Sequence, residues 1–133
     1  MNIEDINIGM MGSQSVIITD ELVSKFSVVS GDYNPVHLDD EYAKKSRYKK
    51  KIAHGLLSGS LFSGIFGTKI PGEGCVYASQ SFNFLRPVYI GDEVLAVVEV
   101  ISVDIASKRV TFKTVCTVRA KKVIDGIAEI FIP

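Results

Sequence analysis

Residues 55–67, Gly-Leu-Leu-Ser-Gly-Ser-Leu-Phe-Ser-Gly-Ile-Phe-Gly, constrain the fold of this chain more than any other segment. Intrinsic propensity argues against a helix here, because glycine and serine form helices poorly. The spacing argues for one. Leu57, Leu61 and Ile65 recur every four residues, as do Phe62 and Phe66, while Gly55, Gly59, Ser63 and Gly67 make a stripe of small residues. A helix apolar on nearly every side has to be covered on nearly every side. The rest of the chain must therefore supply a sheet that wraps it. One sheet covers only part of a helix, so a second copy is expected to complete the burial, most simply in a two-fold homodimer. The small stripe would let a sheet or a ligand come close to the backbone, although tight packing alone accounts equally well for Gly59 and Gly67.

The sheet is supplied downstream. After Pro71-Gly-Glu-Gly74 the sequence turns to residues rich in Val, Ile, Phe and Thr, with strands expected at 75–85, 93–105, 109–120 and 123–132. Short breaks at Pro87, Gly91-Asp92, Ser107-Lys108 and Lys121-Lys122 predict an antiparallel meander, with a bulge at Gly126. Upstream, 15–19 reads as a strand. Thr19-Asp20-Glu21 then starts a helix that places Leu22, Phe26 and Val29 on one face, with Val23 beside it, and ends at Gly31. Asp39 is a candidate cap for a short helix carrying Tyr42 and Ala43, and 47–51 reads as a basic surface loop. Together these elements predict one α+β domain over residues 1–133, an antiparallel sheet around a long central helix.

Composition narrows the function. With 47% hydrophobic residues in 133, the chain can bury about two thirds of its unfolded surface. Fifteen basic and fifteen acidic residues cancel, so no net field favours nucleic acid. The apolar stretch 52–70 contains His54, Lys69, three serines and four glycines, which suits a buried helix and not a membrane span. Acids stand near the N-terminus where a signal peptide needs positive charge, so a cytoplasmic location is expected. Cys75 and Cys116 are far apart in strand-like sequence and read as small buried hydrophobes.

The chemistry concentrates in Ser30-Gly-Asp-Tyr-Asn-Pro-Val-His37. Gly31 and Asn34-Pro35 form turns that would bring Asp32 and His37 together, and a carboxylate with an imidazole suits acid–base work near neutral pH. The competing account makes Asp32 and Asn34 turn residues bonded to their own backbone and His37 a satisfied, partly buried histidine. His54-Gly55 adds a helix start whose free N–H groups could hold an oxyanion.

The stretch Phe26-Ser-Val-Val-Ser-Gly-Asp-Tyr-Asn-Pro-Val-His-Leu-Asp-Asp-Glu-Tyr-Ala43 resembles the hydratase-2 motif of the MaoC-like (R)-specific enoyl-CoA hydratases. The likeness continues through Ile52-Ala-His-Gly-Leu-Leu, Leu61-Phe-Ser-Gly, Pro71-Gly-Glu-Gly and 80–94, and is nearest to the short single-domain hydratases that supply polyhydroxyalkanoate synthesis. The resemblance implies a hot-dog fold, a homodimer or a larger assembly of dimers with active sites near the subunit interface, and (R)-specific, reversible hydration of trans-2-enoyl-CoA to (R)-3-hydroxyacyl-CoA without metal or redox cofactor. It further implies Asp32 and His37 as the catalytic pair, Asn34 as a water-positioning residue and the Gly55 N–H as oxyanion donor. Ser63 would meet the ligand or orient His37, and His54 would fix its loop. Phe66 and Phe131 would bound the acyl tunnel, core packing being the equal alternative, and bulky rings there would favour short to medium chains. Arg86 and Lys49 to Lys51 are candidate contacts for the coenzyme A phosphates. The alternatives to an enoyl-CoA hydratase are a 3-hydroxyacyl-ACP dehydratase of fatty-acid synthesis, a hot-dog thioesterase and a non-catalytic acyl-CoA-binding module.

Overall fold

The computed structural model describes all 133 residues, and three of its helices start where short polar side chains cap them. After a 3₁₀ turn at Ile3–Asp5, β1 (Met11–Ile17) leads to α1 (Asp20–Ser30). Thr19 Oγ1 accepts from the Leu22 N–H at 3.1 Å and opens α1, and Gly31, at φ 77°, closes it in the left-handed conformation. Asn34 caps α2 (Pro35–Leu38), and Asp39 caps α3 (Asp40–Lys45) by accepting from the Glu41 and Tyr42 N–H groups. The central helix α4 is Gly55–Thr68. The strands β2 (Val76–Gln80), β3 (Asn83–Phe84), β4 (Glu93–Asp104), β5 (Arg109–Val118) and β6 (Lys121–Phe131) follow.

The sheet is antiparallel throughout, in the order β1-β4-β5-β6-β2, with β3 also paired to β6. Only β4, β5 and β6 form the expected meander. The expected strand at 75–85 is split into β2 and β3, and both cross to the far side of the sheet to pair with β6, while β1 occupies the place beside β4. This crossover lets the sheet curl around both flanks of α4. A meander in strict chain order would leave one flank in water.

Alternation along the strands directs Val94, Ala96, Val98 and Val100 of β4, Val110 and Phe112 of β5, and Ala128 and Ile130 of β6 against Phe62, Ile65 and Phe66 of α4. Each of those helix side chains contributes about 1.5–3 kcal/mol on burial, whereas each interior glycine costs about 1 kcal/mol relative to alanine. Packing therefore decides that this segment is helical. The burial is one-sided: Leu56 is 52% exposed, and Ser60, Ser63 and Gly67 line the same open face. On α1 the inward residues are Val23 and Ser27, whereas Val29 is 85% exposed, so the expected inward face is rotated.

The bulge falls at Val123 and not at Gly126. Cys116 pairs with Ile124 and Thr117 with Lys122, so Val123 is the extra residue and both Val123 and Ile124 face the core. Gly126 has another role: a Cβ there would lie 1.9 Å from the Ser81 carbonyl oxygen, where the chain kinks between β2 and β3. In the basic loop, Lys51 Nζ is 2.7 Å from Asp20 and 3.7 Å from Asp40, which ties the starts of α1 and α3 together and raises the ammonium pKa through the Asp20 hydrogen bond. No helix is long and apolar enough to cross a membrane. The result is the α+β hot-dog arrangement, a curled antiparallel sheet around one helix.

Gly126→Ala is expected to lower unfolding free energy by about 1–3 kcal/mol, because backbone on both sides must move to admit the methyl group. Urea denaturation measures this, and an unchanged midpoint would contradict the close approach of Ser81.

Candidate active site

Three successive side-chain-to-backbone bonds turn the chain from α1 to α2. Ser30 Oγ accepts from the Asp32 N–H at 3.1 Å, Asp32 Oδ1 from the Asn34 N–H at 3.0 Å, and Asn34 Oδ1 from the Val36 N–H at 3.3 Å. These satisfy the turn as the structural alternative expected, yet they leave Asp32 Oδ2 unengaged. It faces His37 Nε2 at 3.9 Å, too far for a direct hydrogen bond and suited to a water accepted between them.

His37 is buried, and its Nδ1–H donates to the Ile52 carbonyl at 2.7 Å. A carbonyl only accepts, so Nδ1 carries the hydrogen and Nε2 is the atom left for chemistry. Ile52 is itself held from two sides: its N–H donates to the Val36 carbonyl at 3.2 Å, and it bridges to Tyr89. Next to it, the Ala53 N–H donates to Val88 at 2.7 Å. Tyr89 is fixed in turn by Asp92, whose Oδ2 accepts its N–H while Oδ1 accepts from Arg119 at 3.0 Å.

A cavity of about 610 Å³ opens in front of this pair. Asp32, His37, His54 and Gly55 line it together with apolar Phe26, Leu56, Phe84 and Leu85, and the cations Arg47 and Arg86 also reach it. As the first residue of α4, Gly55 has an N–H with no intrahelical acceptor, at the positive end of the helix dipole. The Phe84 ring covers it so closely that a Cβ at Gly55 would be 2.5 Å from Phe84 Cδ1. Phe84 stacks on Phe82 at 5.6 Å and Phe82 on Phe62 at 6.3 Å, an aromatic ladder lying over the glycines of α4.

Asp32, His37 and Gly55 therefore converge as expected, and other sequence candidates do not. The Asn34 side-chain oxygen is used to cap α2, and Asn34 is not on the cavity wall. Ser63 lies on the open face of α4 and lines a separate cavity of about 420 Å³ with Tyr77, Gln80 and Phe82. Phe66 is 1% exposed, packed edge-on against Phe112 and Tyr77, and belongs to the core because it follows Phe62 by four residues on the sheet side. Phe131, at the end of β6, stacks against the Arg109 guanidinium away from the cavity. Of the basic candidates, Arg86 lines the cavity, whereas Lys51 is committed to Asp20 and Asp40.

Sequence reasoning missed Phe84, Arg47 and Ser58. The alternation of Phe82 and Phe84 was a usable signal, since residues two apart on extended chain share a side. Ser58 left no signal: its hydroxyl is buried on the cavity wall without a partner. Cys116 is buried, with its thiol pushed up to about 12, so it is no nucleophile at neutral pH. One donor atom from each of Asp32, His37 and His54 lies within 4.8 Å of the others. The two rings are stacked at 3.8 Å and 27°, however, which sets their in-plane lone pairs side by side and away from a common point. That arrangement suits proton transfer between Asp32 and His37 better than chelation by all three.

Comparison with known proteins agrees with this geometry. The MaoC like domain matches residues 6–126. The chain is 42% identical over 130 residues to an "(R)-specific enoyl-CoA hydratase" of Rhodospirillum rubrum, covering 98% of this chain and 90% of that one. It is 35% identical to a mitochondrial "3-hydroxyacyl-[acyl-carrier-protein] dehydratase" of Arabidopsis thaliana, covering 96% and 78%. Among solved structures, the (R)-hydratase from A. caviae involved in PHA biosynthesis superposes with a TM-score of 0.95 at 34% identity, covering 98% of this chain and 99% of that one. The domain match across most of the chain, the close relatives and the shared curled sheet all lead to one assignment: this chain belongs to the MaoC-like family.

Proposed function

We propose that the protein is a hydro-lyase that adds water to trans-2-enoyl-CoA and gives (R)-3-hydroxyacyl-CoA, reversibly. The observation that carries this reading is the convergence of Asp32 Oδ2 and His37 Nε2, 3.9 Å apart, on a cavity that also receives the Gly55 N–H. The thioester carbonyl accepts from Gly55, which draws electron density from C3. Water held between Asp32 and His37 attacks C3. Asp32 takes the proton released from water, and His37, entering the cycle as the imidazolium with a hydrogen on each nitrogen, delivers its Nε2 proton to C2 from the same face and becomes the neutral Nδ1–H ring. The proton then passes from Asp32 to His37, and the pair is restored. The Ile52 carbonyl accepts from Nδ1–H in both charge states of the ring, so His37 keeps its orientation through the cycle. Asn34 serves the pair through the turn that it caps, its side-chain oxygen accepting from the Val36 N–H, and Ser63, on the separate cavity at the open face of α4, takes no step in this reaction.

Apolar Phe26, Leu56 and Phe84 suit the acyl chain, and the bulk of the two rings favours short to medium chains. Arg47 and Arg86 place positive charge where the phosphates of coenzyme A would lie. The second reading, dehydration of a 3-hydroxyacyl group on a carrier protein, uses the same residues in reverse and is favoured by the name of the Arabidopsis relative. The open face of α4, with exposed Leu56, and the unpaired edge of β2, with exposed Val76 and Tyr77, fit a second copy of the chain. We place the protein in the cytoplasm as a single-domain homodimer.

The deciding measurement follows the enoyl-thioester absorbance of crotonyl-CoA, with the product coupled to an (R)-specific dehydrogenase. Asp32→Asn and His37→Ala are each expected to lower the rate about 10²–10⁴-fold. Turnover of carrier-bound substrate alone would select the dehydratase reading, and thiol release would select a thioesterase. Gly55→Ala drives a methyl group into the Phe84 ring, and is expected to lower kcat about 10²-fold by moving the donor. Phe84→Leu added to Gly55→Ala should restore part of the loss, and no restoration would refute the contact as its cause. Sedimentation should give twice the chain mass, with Ser60→Glu shifting it towards a monomer; a monomeric parent protein would disprove the homodimer.

A further inference from the structure

His54 is one of only two histidines in the chain, and the reaction above makes no direct use of it. It is 4% exposed. Its ring stacks on His37 with centroids 3.8 Å apart, and the Phe26 ring leans on it at 4.9 Å. Its Nε2 is 3.1 Å from the backbone carbonyl of Asp32 and 3.2 Å from Oγ of the buried Ser27. The Asp32 carbonyl only accepts, so Nε2 carries the hydrogen and Nδ1, buried without a partner, carries the lone pair. Burial lowers the His54 pKa, with the bond to the Asp32 carbonyl working against it and the neighbouring His37 adding to it, and the net shift favours the uncharged ring. One neutral ring thus touches both members of the reacting pair, the backbone of one and the face of the other.

We propose that His54 is a positioning residue that locks Asp32 and His37 into one frame and so maintains the gap between Asp32 Oδ2 and His37 Nε2 in which the reacting water is held. The proposal rests on the hydratase reading of that pair. Without the stack, His37 keeps one directional restraint, the bond to Ile52. Without the Nε2–H bond, Asp32 is held only by local bonds within an exposed turn that follows the left-handed Gly31. A displacement of about 1 Å in a reacting group is enough to cost about 10²-fold in rate.

Two substitutions separate the two contacts. His54→Phe keeps an aromatic face and removes the N–H; His54→Gln keeps an N–H donor and removes the stack. With folding verified by thermal melts, kcat on crotonyl-CoA should fall about 10²-fold in His54→Phe and less in His54→Gln, with KM within about twofold of the parent protein. The pH profile of kcat should change in both. The titratable and charged groups facing this site are Asp32 and His37 beside the ring, Arg47 and Tyr48 from the loop after α3, and Arg86 from the loop after β3, and none of these is altered by the substitutions.

A second readout does not need turnover. In either variant the only imidazole is His37, so its ring ¹⁵N signals are read without overlap, and they should differ from those of the parent protein. Shifted His37 signals with an inactive parent would refute the hydratase reading and leave the positioning role standing. An active parent whose His54 variants keep kcat, pH profile and His37 signals would overturn the proposal. If both His54 variants fail to fold, Ser27→Ala takes their place. By removing the hydroxyl that flanks His54 Nε2 it should loosen the ring on that side, lower kcat with KM within about twofold of the parent protein, and shift the His54 ring signals, and unchanged kcat and signals there would likewise overturn it.

Discussion

The burial of Phe62, Ile65 and Phe66 between α4 and the β4-β5-β6 sheet holds together a helix that glycine would otherwise loosen. That packing fixes the axis of α4, and the axis fixes where its first N–H points. Immediately before it, Ile52 and Ala53 are hydrogen-bonded to α2 on one side and to the loop before β4 on the other. Sheet, helix start and reactive turn are therefore mechanically continuous. The His37 imidazole is aimed by a backbone carbonyl in the same three-residue strap that leads into the helix.

Local signals in the sequence were reliable where the physics is local. Thr19, Gly31 and Asp39 mark helix ends because a hydroxyl, a missing Cβ and a carboxylate act on N–H groups or dihedrals within a few residues. Asp32 and His37 were legible for the same reason, standing five positions apart across one turn and the start of α2. Pairing across the sheet was not. The choice of β6 over β4 by β2 is settled by the need to wrap both flanks of α4, a property of the assembled core that leaves no mark in residues 75–85. Gly126 illustrates the same limit, since a close approach by Ser81 and a bulge both call for glycine, and only the register separates them.

The double readings of side chains such as Phe66 and Phe131 have a common origin. Phe66 and Phe131 are large and apolar at regular spacing, which fits a tunnel wall as well as a core, and burial settled Phe66 as core. The rings that do reach the cavity, Phe26 and Phe84, sit on elements whose relative placement depends on tertiary contacts. Lys51 shows the electrostatic version: as part of a run of three lysines it resembles a solvated patch, yet two helix-start carboxylates claim it.

The seating of Phe84 on Gly55 has an evolutionary consequence. The ring that lines the apolar side of the cavity is also the surface against which the start of α4 rests. On the proposed reading of Gly55 as the carbonyl donor, any lineage that shrinks this side chain to admit bulkier acyl groups disturbs that donor in the same step. Breadth of diet and catalytic speed are thereby inherited as one trait, and they separate only through a compensating change elsewhere in the aromatic ladder.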